Sequence, residues 1–490
     1  MSGHRDPISR TGSVINGCST RSRRRQRPGN GPSRVVLVNN DNERSTGETR
    51  LTTPSKARTR ARTSLFAATI GLLGTLAAGR AQAEIKLVDV GGWTLSTDGR
   101  INNFISHAWG DWLPPGEPST YTGLDEAQDS NGKISSTRIR SGFIMNVLAF
   151  ELNKQLTEGT HLKTRVALWA LTASERSAFD TPSVEARELY FKLEGNWGGL
   201  LVGRSLALFA RGGILLDYDV EHGMGLGFPC STKEVHGGAC GHAGFGLLFP
   251  GFHSGFIYNT PNMGGFQLAV GLYDPVQYTT ADYRRTPYPR TEAEVAYSTP
   301  NHMFTAFVSG LWQRLSTTVM NVDSNGMALD PPLRDYDFNA LGLNYGVGLN
   351  VGPLKLAASG FTGQGLGLLV PVEDNPAIIL SGRPGLRKED GYWGAAALVF
   401  GGFKIAGGAG VTRSKHDYAD PPPSSTNVPF IAQQVGFSAG IYQQAFSSVT
   451  FALEYFDAQF TWFDHALADG TIVRPRQNVN FINAGATLVW

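Results

Sequence analysis

Between residues 84 and 490 one pattern recurs: roughly ten residues of alternating apolar and polar side chains, followed by turn formers. Alternation with period two places successive side chains on opposite faces of a strand. No apolar run in this stretch reaches the roughly 18 residues that mark a membrane helix, and no 3.6-residue stripe is sustained. At the C-terminus Ile482, Ala484, Ala486 and Leu488 share one face, while Asn483, Gly485 and Thr487 share the other. Val435, Phe437, Ala439 and Ile441 likewise oppose Gln434, Gly436, Ser438 and Gly440. Leu162, Val166 and Leu168 oppose His161, Lys163 and Arg165. A soluble sandwich also alternates. Here, however, the second face is mostly Gly, Ser, Asn, Gln and charge over many segments. The apolar face ends in aromatics: Trp93, Trp169, Tyr190, Tyr297, Trp312, Tyr345, Trp393, Tyr455 and Trp490. That suits the interfacial girdles of a membrane barrel.

Sixteen such segments can be placed, from 93–107 and 137–152 to 448–460 and 475–490, with 302–313 and 336–350 among them. Short connections (153–160, 195–197, 261–263, 300–301, 351–353, 402, 446–447) alternate with long ones (108–136, 207–251, 275–289, 314–335, 365–390, 415–429, 461–474). This predicts an all-β fold: a transmembrane antiparallel β-barrel of about 16 strands, with short periplasmic turns and long extracellular loops. Closure of first strand on last follows because lipid tolerates no open edge. Fifty-one of the 60 glycines lie in residues 84–490. They are about 12% of that stretch, against about 7% in an average protein. They are expected at turns and on the lumen face, leaving a wide, wet interior.

The N-terminus reads differently. Residues 1–63 are basic, with Arg21, Arg23, Arg24, Arg25 and Arg27, and hold no basis for a core. They read as a non-globular extension from a start assigned too far upstream, in preference to a nucleic-acid- or lipid-binding arm. Lys56, Arg58, Arg60 and Arg62 then precede the uncharged stretch Leu65–Ala78 and the small-x-small site Ala81-Gln82-Ala83. This is the form of a secretory signal peptide over 64–83, leaving 84–490 as the barrel domain. The first 83 residues carry 15 of the 43 Lys and Arg but only 4 of the 41 Asp and Glu. Residues 84–490 therefore have a net charge of −9, although the whole chain is +2.

The longest connection, 207–251, is apolar enough to pack inside a barrel, forming a loop folded into the lumen. It carries Asp217, Asp219 and Glu221. Arg100, Arg138, Arg140, Lys163, Arg165 and Arg204 are expected on inward positions of the early strands. Carboxylates facing a basic wall would set a transverse field across a constriction and select polar solutes. The competing reading is solvated lumen residues and loop salt bridges. Arg187 is expected on the outward face with Leu189 and Phe191, two and four residues on.

Val184–Phe209 (VEARELYFKLEGNWGGLLVGRSLALF) resembles the fourth and fifth strands of Gram-negative general porins. Arg187, Tyr190, Leu193, Gly203 and Arg204 match that family's pattern. Trp490 is similar to its terminal aromatic assembly signal, where Phe is more usual. The resemblance implies a homotrimer in the outer membrane, assembled by the barrel-assembly machinery. It also implies passive diffusion of small hydrophilic solutes and ions, and a third loop folded into the pore. The acidic balance of 84–490 adds an expected mild cation preference. A non-conducting structural or adhesive barrel, with 207–251 as its plug, is the rival reading.

Cys18 falls in the discarded segment. Cys230 and Cys240 lie in 207–251, and an exported chain meets an oxidising compartment, which predicts a disulfide. Closing a loop of that size stabilises by about 3 kcal/mol on the chain-entropy model. A metal site using His222, His236, His242 and His253 is the alternative, but the spacing fits no standard zinc pattern. Asn321-x-Asp323-x-Asn325-Gly326 opens like a calcium loop and fails at Pro332, so it reads as a turn. No cofactor, metal or nucleic-acid partner is expected. No H-E-x-x-H or G-x-S-x-G signature is present, and a lipase-like barrel would need a Ser/His pair facing lipid that the sequence does not display.

Overall fold

A computed structural model describes residues 84–490 apart from 113–132, 173–183, 218–224, 230–238, 277–282, 285–286, 323–327, 370, 373–376, 379–384, 416–429 and 468. The expected extension and signal peptide, 1–83, lie outside the described residues.

The alternating stretches form sixteen wall strands: β1 (Trp93–Asp111), β2 in two pieces (Lys133–Arg140 and Asn146–Thr157), β3 (Thr160–Ala170), β4 (Val184–Gly195), β5 (Gly198–Leu206), β6 (Phe252–Asn259), β7 (Phe266–Tyr273), β8 (Arg290–Ser298), β9 (Phe304–Val322), β10 (Ala328–Val351), β11 (Leu354–Gln364), β12 (Lys388–Phe400), β13 (Phe403–Lys415), β14 (Ile431–Phe446), β15 (Val449–Trp462) and β16 (Arg476–Val489). Each pairs antiparallel with the next. β16 returns to β1, from Arg100↔Val489 to Gly110↔Val479, and closes the barrel. Trp490 completes the seam: its N–H donates to the Gly99 carbonyl at 3.1 Å and its carbonyl accepts the Gly99 N–H at 3.0 Å.

The outer face is a belt of exposed apolar side chains at every second residue, such as Leu341, Leu343, Tyr345, Val347 and Leu349 on β10 and Leu268, Val270 and Leu272 on β7. An exposed apolar surface that encircles a closed sheet is stable only against lipid. Trp197 and Tyr258 stack at the short-turn rim, with Phe266, Phe400 and Phe446 exposed nearby in the chain's short turns. At the other rim Trp109 meets Tyr455 and Trp312 meets Tyr288. Three residues expected in these girdles are instead buried on the inner face: Trp169, Tyr190 and Trp393. Their strand position alternates inward, and each ring fills space beside its neighbours.

Two departures from simple alternation shape the wall. β9 and β10 extend far past the expected segments, paired from Phe304↔Leu349 to Met320↔Leu333. The connection expected over 314–335 is therefore mostly a protruding hairpin. Its apolar residues, among them Leu315, Val319, Met320 and Val322, keep no sustained alternation and so marked no strand face; Arg314 and Ser316 hydrogen-bond Asp337 at 2.6 Å each. β2 breaks at Ser141–Met145, where all five residues are buried. Asn102 of β1 substitutes for the lost ladder: its Oδ1 accepts the Gly142 N–H at 2.6 Å and its Nδ2 donates to the Ile144 carbonyl at 2.7 Å.

Candidate functional site

The described parts of the segment between β5 and β6 (207–217, 225–229 and 239–251) are buried except for partial exposure at Leu215, Ala239 and Phe249. A buried backbone must find partners for its N–H and C=O groups. Inward-facing wall side chains supply them. Glu292 Oε2 on β8 accepts the N–H groups of Leu208 and Phe209, both at 2.8 Å. Glu454 Oε2 on β15 accepts those of Leu226 at 2.8 Å and Gly227 at 3.1 Å, while its Oε1 accepts the Tyr442 hydroxyl at 2.6 Å. Asn483 Nδ2 on β16 donates to the Gly227 carbonyl at 2.9 Å. Thr412 Oγ1 on β13 accepts the Gly246 N–H at 2.8 Å. The break in β2 joins in: the Phe143 N–H donates to the Gly225 carbonyl at 2.9 Å.

Apolar packing reinforces these bonds. Phe228 sits 4.9 to 6.0 Å, centroid to centroid, from Phe245, Phe456, Phe460 and Phe481. The one-turn helix α1 (Arg211–Leu215) lies against β9 and β10, and its Gly212 backs onto the Phe307 ring. This corrects the expectation that inner-face glycines leave the interior wet. A side chain at Gly436 would strike the Phe245 ring, one at Gly342 the Phe209 ring and one at Gly408 the Trp393 ring. At these positions glycine admits an aromatic neighbour, not water.

The nine charges singled out from sequence separate into groups. Arg165 is buried on β3 and shared by three carboxylates: Asp98 (2.6 and 3.0 Å), Glu151 (2.7 Å) and Glu188 (3.2 Å). Lys163 pairs with Glu151 at 2.7 Å. Arg100 and Arg140 are buried on inward positions, and Arg138 is half-buried there. Asp217 is buried, and its Oδ2 meets His242 Nδ1 at 2.8 Å rather than any of the expected cations. Asp219 and Glu221 lie outside the described residues. Two of these cations, Lys163 and Arg165, are thus neutralised by carboxylates of neighbouring strands.

Arg204 is a correction. It lies directly across from Leu189 and Ser254, both exposed on the outer face, and is itself exposed. Gly199, Leu201, Gly203 and Ser205 take the inner positions of β5. Gly203 has φ near 131°, and a Cβ there would stand 2.3 Å from the Leu189 carbonyl, so the glycine of this motif is fixed by backbone approach. Arg187 moves the other way. A register shift between Ala167 and Leu168 reverses the parity of β4, so Arg187 lies over the inward Trp169 ring at 5.2 Å and hydrogen-bonds Glu185 at 2.7 Å.

Cys240 is buried, and Cys230 lies outside the described residues. Of the four histidines near them, His242 is committed to Asp217 and Ser438, and His253 is buried against Tyr273; His222 and His236 lie outside the described residues. No group of three or more metal-ligating side chains occurs among the described residues. Nothing in the linear order of residues marks Glu292, Glu294 and Glu454 as partners of the segment. They lie up to 228 positions from the groups they bind, and only the closed sheet brings them there.

A closed sixteen-strand cylinder with a lipid-compatible exterior and a polar, charge-paired inner wall defines an outer-membrane barrel of the channel class. The Gram-negative porin model matches residues 67–488, and the chain belongs to that family. No curated protein matches the sequence. Among solved structures, the outer membrane channel DcaP of Acinetobacter baumannii aligns with a TM-score of 0.55 at 11% identity, covering 82% of this chain and 99% of that one. OmpT of Vibrio cholerae aligns at 0.48 with 13% identity, covering 83% of this chain and 100% of that one. Salmonella typhi OmpF, in a complex with daunomycin, aligns at 0.45 with 12% identity, covering 81% and 99%. At these identities the first likeness speaks for the fold.

Proposed function

We propose that the protein is a water-filled channel for passive diffusion of small hydrophilic solutes and ions, constricted by 207–251 and mildly cation-preferring. The observation that carries this reading is the charge-paired inner wall of β1–β4, with Asp98, Glu151, Lys163, Arg165 and Glu188 gathered on one face. Charge lining a protein interior is costly unless it is solvated or paired, and a lumen supplies water beside the pairs. Because Arg165 and Lys163 are held by neighbouring carboxylates, they offer little free positive charge to a passing anion. The net −9 of residues 84–490 then tips the balance toward cations. Arg165→Gln should leave three carboxylates without their shared cation and move the reversal potential in a KCl gradient further toward cation selectivity. Wild-type anion selectivity at neutral pH would count against the reading.

The second reading is a barrel closed by its own segment. The cluster around Phe228 favours it, since five aromatic rings in contact leave no room for water between them. Short turns are assigned to the periplasm and long loops to the exterior. The outer surface of early strands, including Arg204, would face either lipid headgroups or neighbouring copies in a homotrimer. Residues 64–83 act as the signal peptide, and Trp490 as the signal read by the assembly machinery. Cys230 and Cys240 form a disulfide that fixes the middle of the segment. Alkylation of unreduced mature protein should leave both cysteines unmodified in the mass spectrum; two alkylated residues would refute the bond.

A further inference from the structure

Asp217, His242 and Ser438 come together from three distant points of the chain. His242 Nδ1 lies 2.8 Å from Asp217 Oδ2, and His242 Nε2 lies 2.8 Å from Ser438 Oγ. An ionised carboxylate can only accept, so Nδ1 carries the proton that faces Asp217. In neutral imidazole Nε2 is then the acceptor, and the Ser438 hydroxyl donates to it. This is the arrangement of roles by which a serine hydroxyl is activated: orienting acid, base, nucleophile.

The surroundings fix that arrangement. The imidazole lies between the Trp393 ring of β12 at 4.1 Å and the Phe456 ring of β15 at 5.3 Å, at interplanar angles of 30° and 29°. Asp217 and His242 are 3% and 1% exposed, whereas Ser438 on β14 is partly exposed. Burial therefore covers the acid and the base, while Ser438 keeps partial exposure. The other contact of Ser438, to the Gly408 carbonyl, is long at 3.4 Å and competes weakly. Glu454, two residues from Phe456, is turned to Tyr442 and the segment backbone.

We propose that Ser438 is a nucleophile, activated by His242 and Asp217, that accepts the acyl group of small carboxylic esters entering the barrel interior. It rests on the channel reading for access alone. The Oγ–C bond forms as the ester C–O bond breaks, and the electron pair leaves with the alkoxide. The Ser438 proton passes to His242 Nε2 and then to that alkoxide, giving acyl-Ser438 and an alcohol. Nothing beyond this one transfer is assigned to the trio.

The test uses the folded full-length mature barrel in detergent with p-nitrophenyl acetate. A burst of about one p-nitrophenolate per chain is expected, with the acetyl group mapped to the Ser438 peptide. The wild-type burst rate should rise with pH and then level off once the imidazole is neutral, whereas acetylation of surface lysines keeps rising toward the lysine range. Ser438→Ala should abolish the burst, and Asp217→Asn should slow it by about 100-fold or more. Acetylation spread over surface residues, a burst retained in Ser438→Ala, or no burst from a preparation that conducts ions would each overturn the proposal. Conductance of the same preparation separates this failure from failure of the channel reading: no burst together with no conductance means that ester access is missing, and refutes both.

Discussion

Glu454→Ala is expected to free the segment from its wall and turn steady single-channel current into rapid switching among levels. The carboxylate serves two buried backbone N–H groups and one phenol. Leaving a buried polar group unsatisfied costs about 1–3 kcal/mol, so losing three partners weighs several kcal/mol against the docked segment. Each 1.4 kcal/mol shifts an equilibrium about tenfold. Transitions between levels should therefore become at least about tenfold more frequent. The barrel itself should persist, because the ladder of β15 is untouched and Glu454 faces inward. Heat-dependent gel mobility checks that persistence. Traces indistinguishable from wild type would show that Glu454 does not hold the segment.

Gly410→Val is expected to have the larger effect on folding. An ideal Cβ at Gly410 would lie 2.0 Å from the Phe245 carbonyl oxygen and 2.8 Å from the Trp393 ring. Backbone on one side and a packed indole on the other leave no soft neighbour to yield. Overpacking costs typically 1–3 kcal/mol and more where backbone must move. The urea midpoint of the variant should fall markedly, and its heat-modifiable fraction should drop. Gly394→Ala is the control: on the outer face of the adjacent strand, its Cβ would have only the Ala357 carbonyl at 3.8 Å. Equal behaviour of the two variants would remove close packing as the reason for glycine at Gly410.

The wall was largely legible because lipid outside and polar groups inside force a period of two. The alternation at Ile482–Leu488 and Arg165–Leu168 reads into exposed and buried faces. It fails where the backbone leaves that period. A register shift turns Arg187 inward, and counting residues along β4 cannot reveal it. Arg204 and Leu189 are cross-strand partners on one face, a register that neither strand announces alone. The hairpin of β9 and β10 breaks the two-residue alternation, so its residues carried no clear strand signal. The interior was less legible. Acidic and basic residues could be picked out, but not their pairing. Asp217 meets a histidine 25 positions away, and Arg165 meets Asp98 67 positions away, through closure and packing.

Glycine shows the same limit. Its excess pointed to the barrel class, yet composition could not separate open lumen from ring-filled wall. Phe209 and Phe245 of the segment and Phe307 and Trp393 of the wall lie over inner glycines, so at these positions glycine serves ring packing. The question is then how much aqueous path the segment leaves. Purified mature protein, its fold verified by heat-dependent mobility, should be added to a planar bilayer in KCl. Discrete, ohmic steps of current are expected, with a reversal potential in a salt gradient that favours cations. Stable insertion of the folded barrel with no current at any voltage would contradict the channel and establish the segment as a plug.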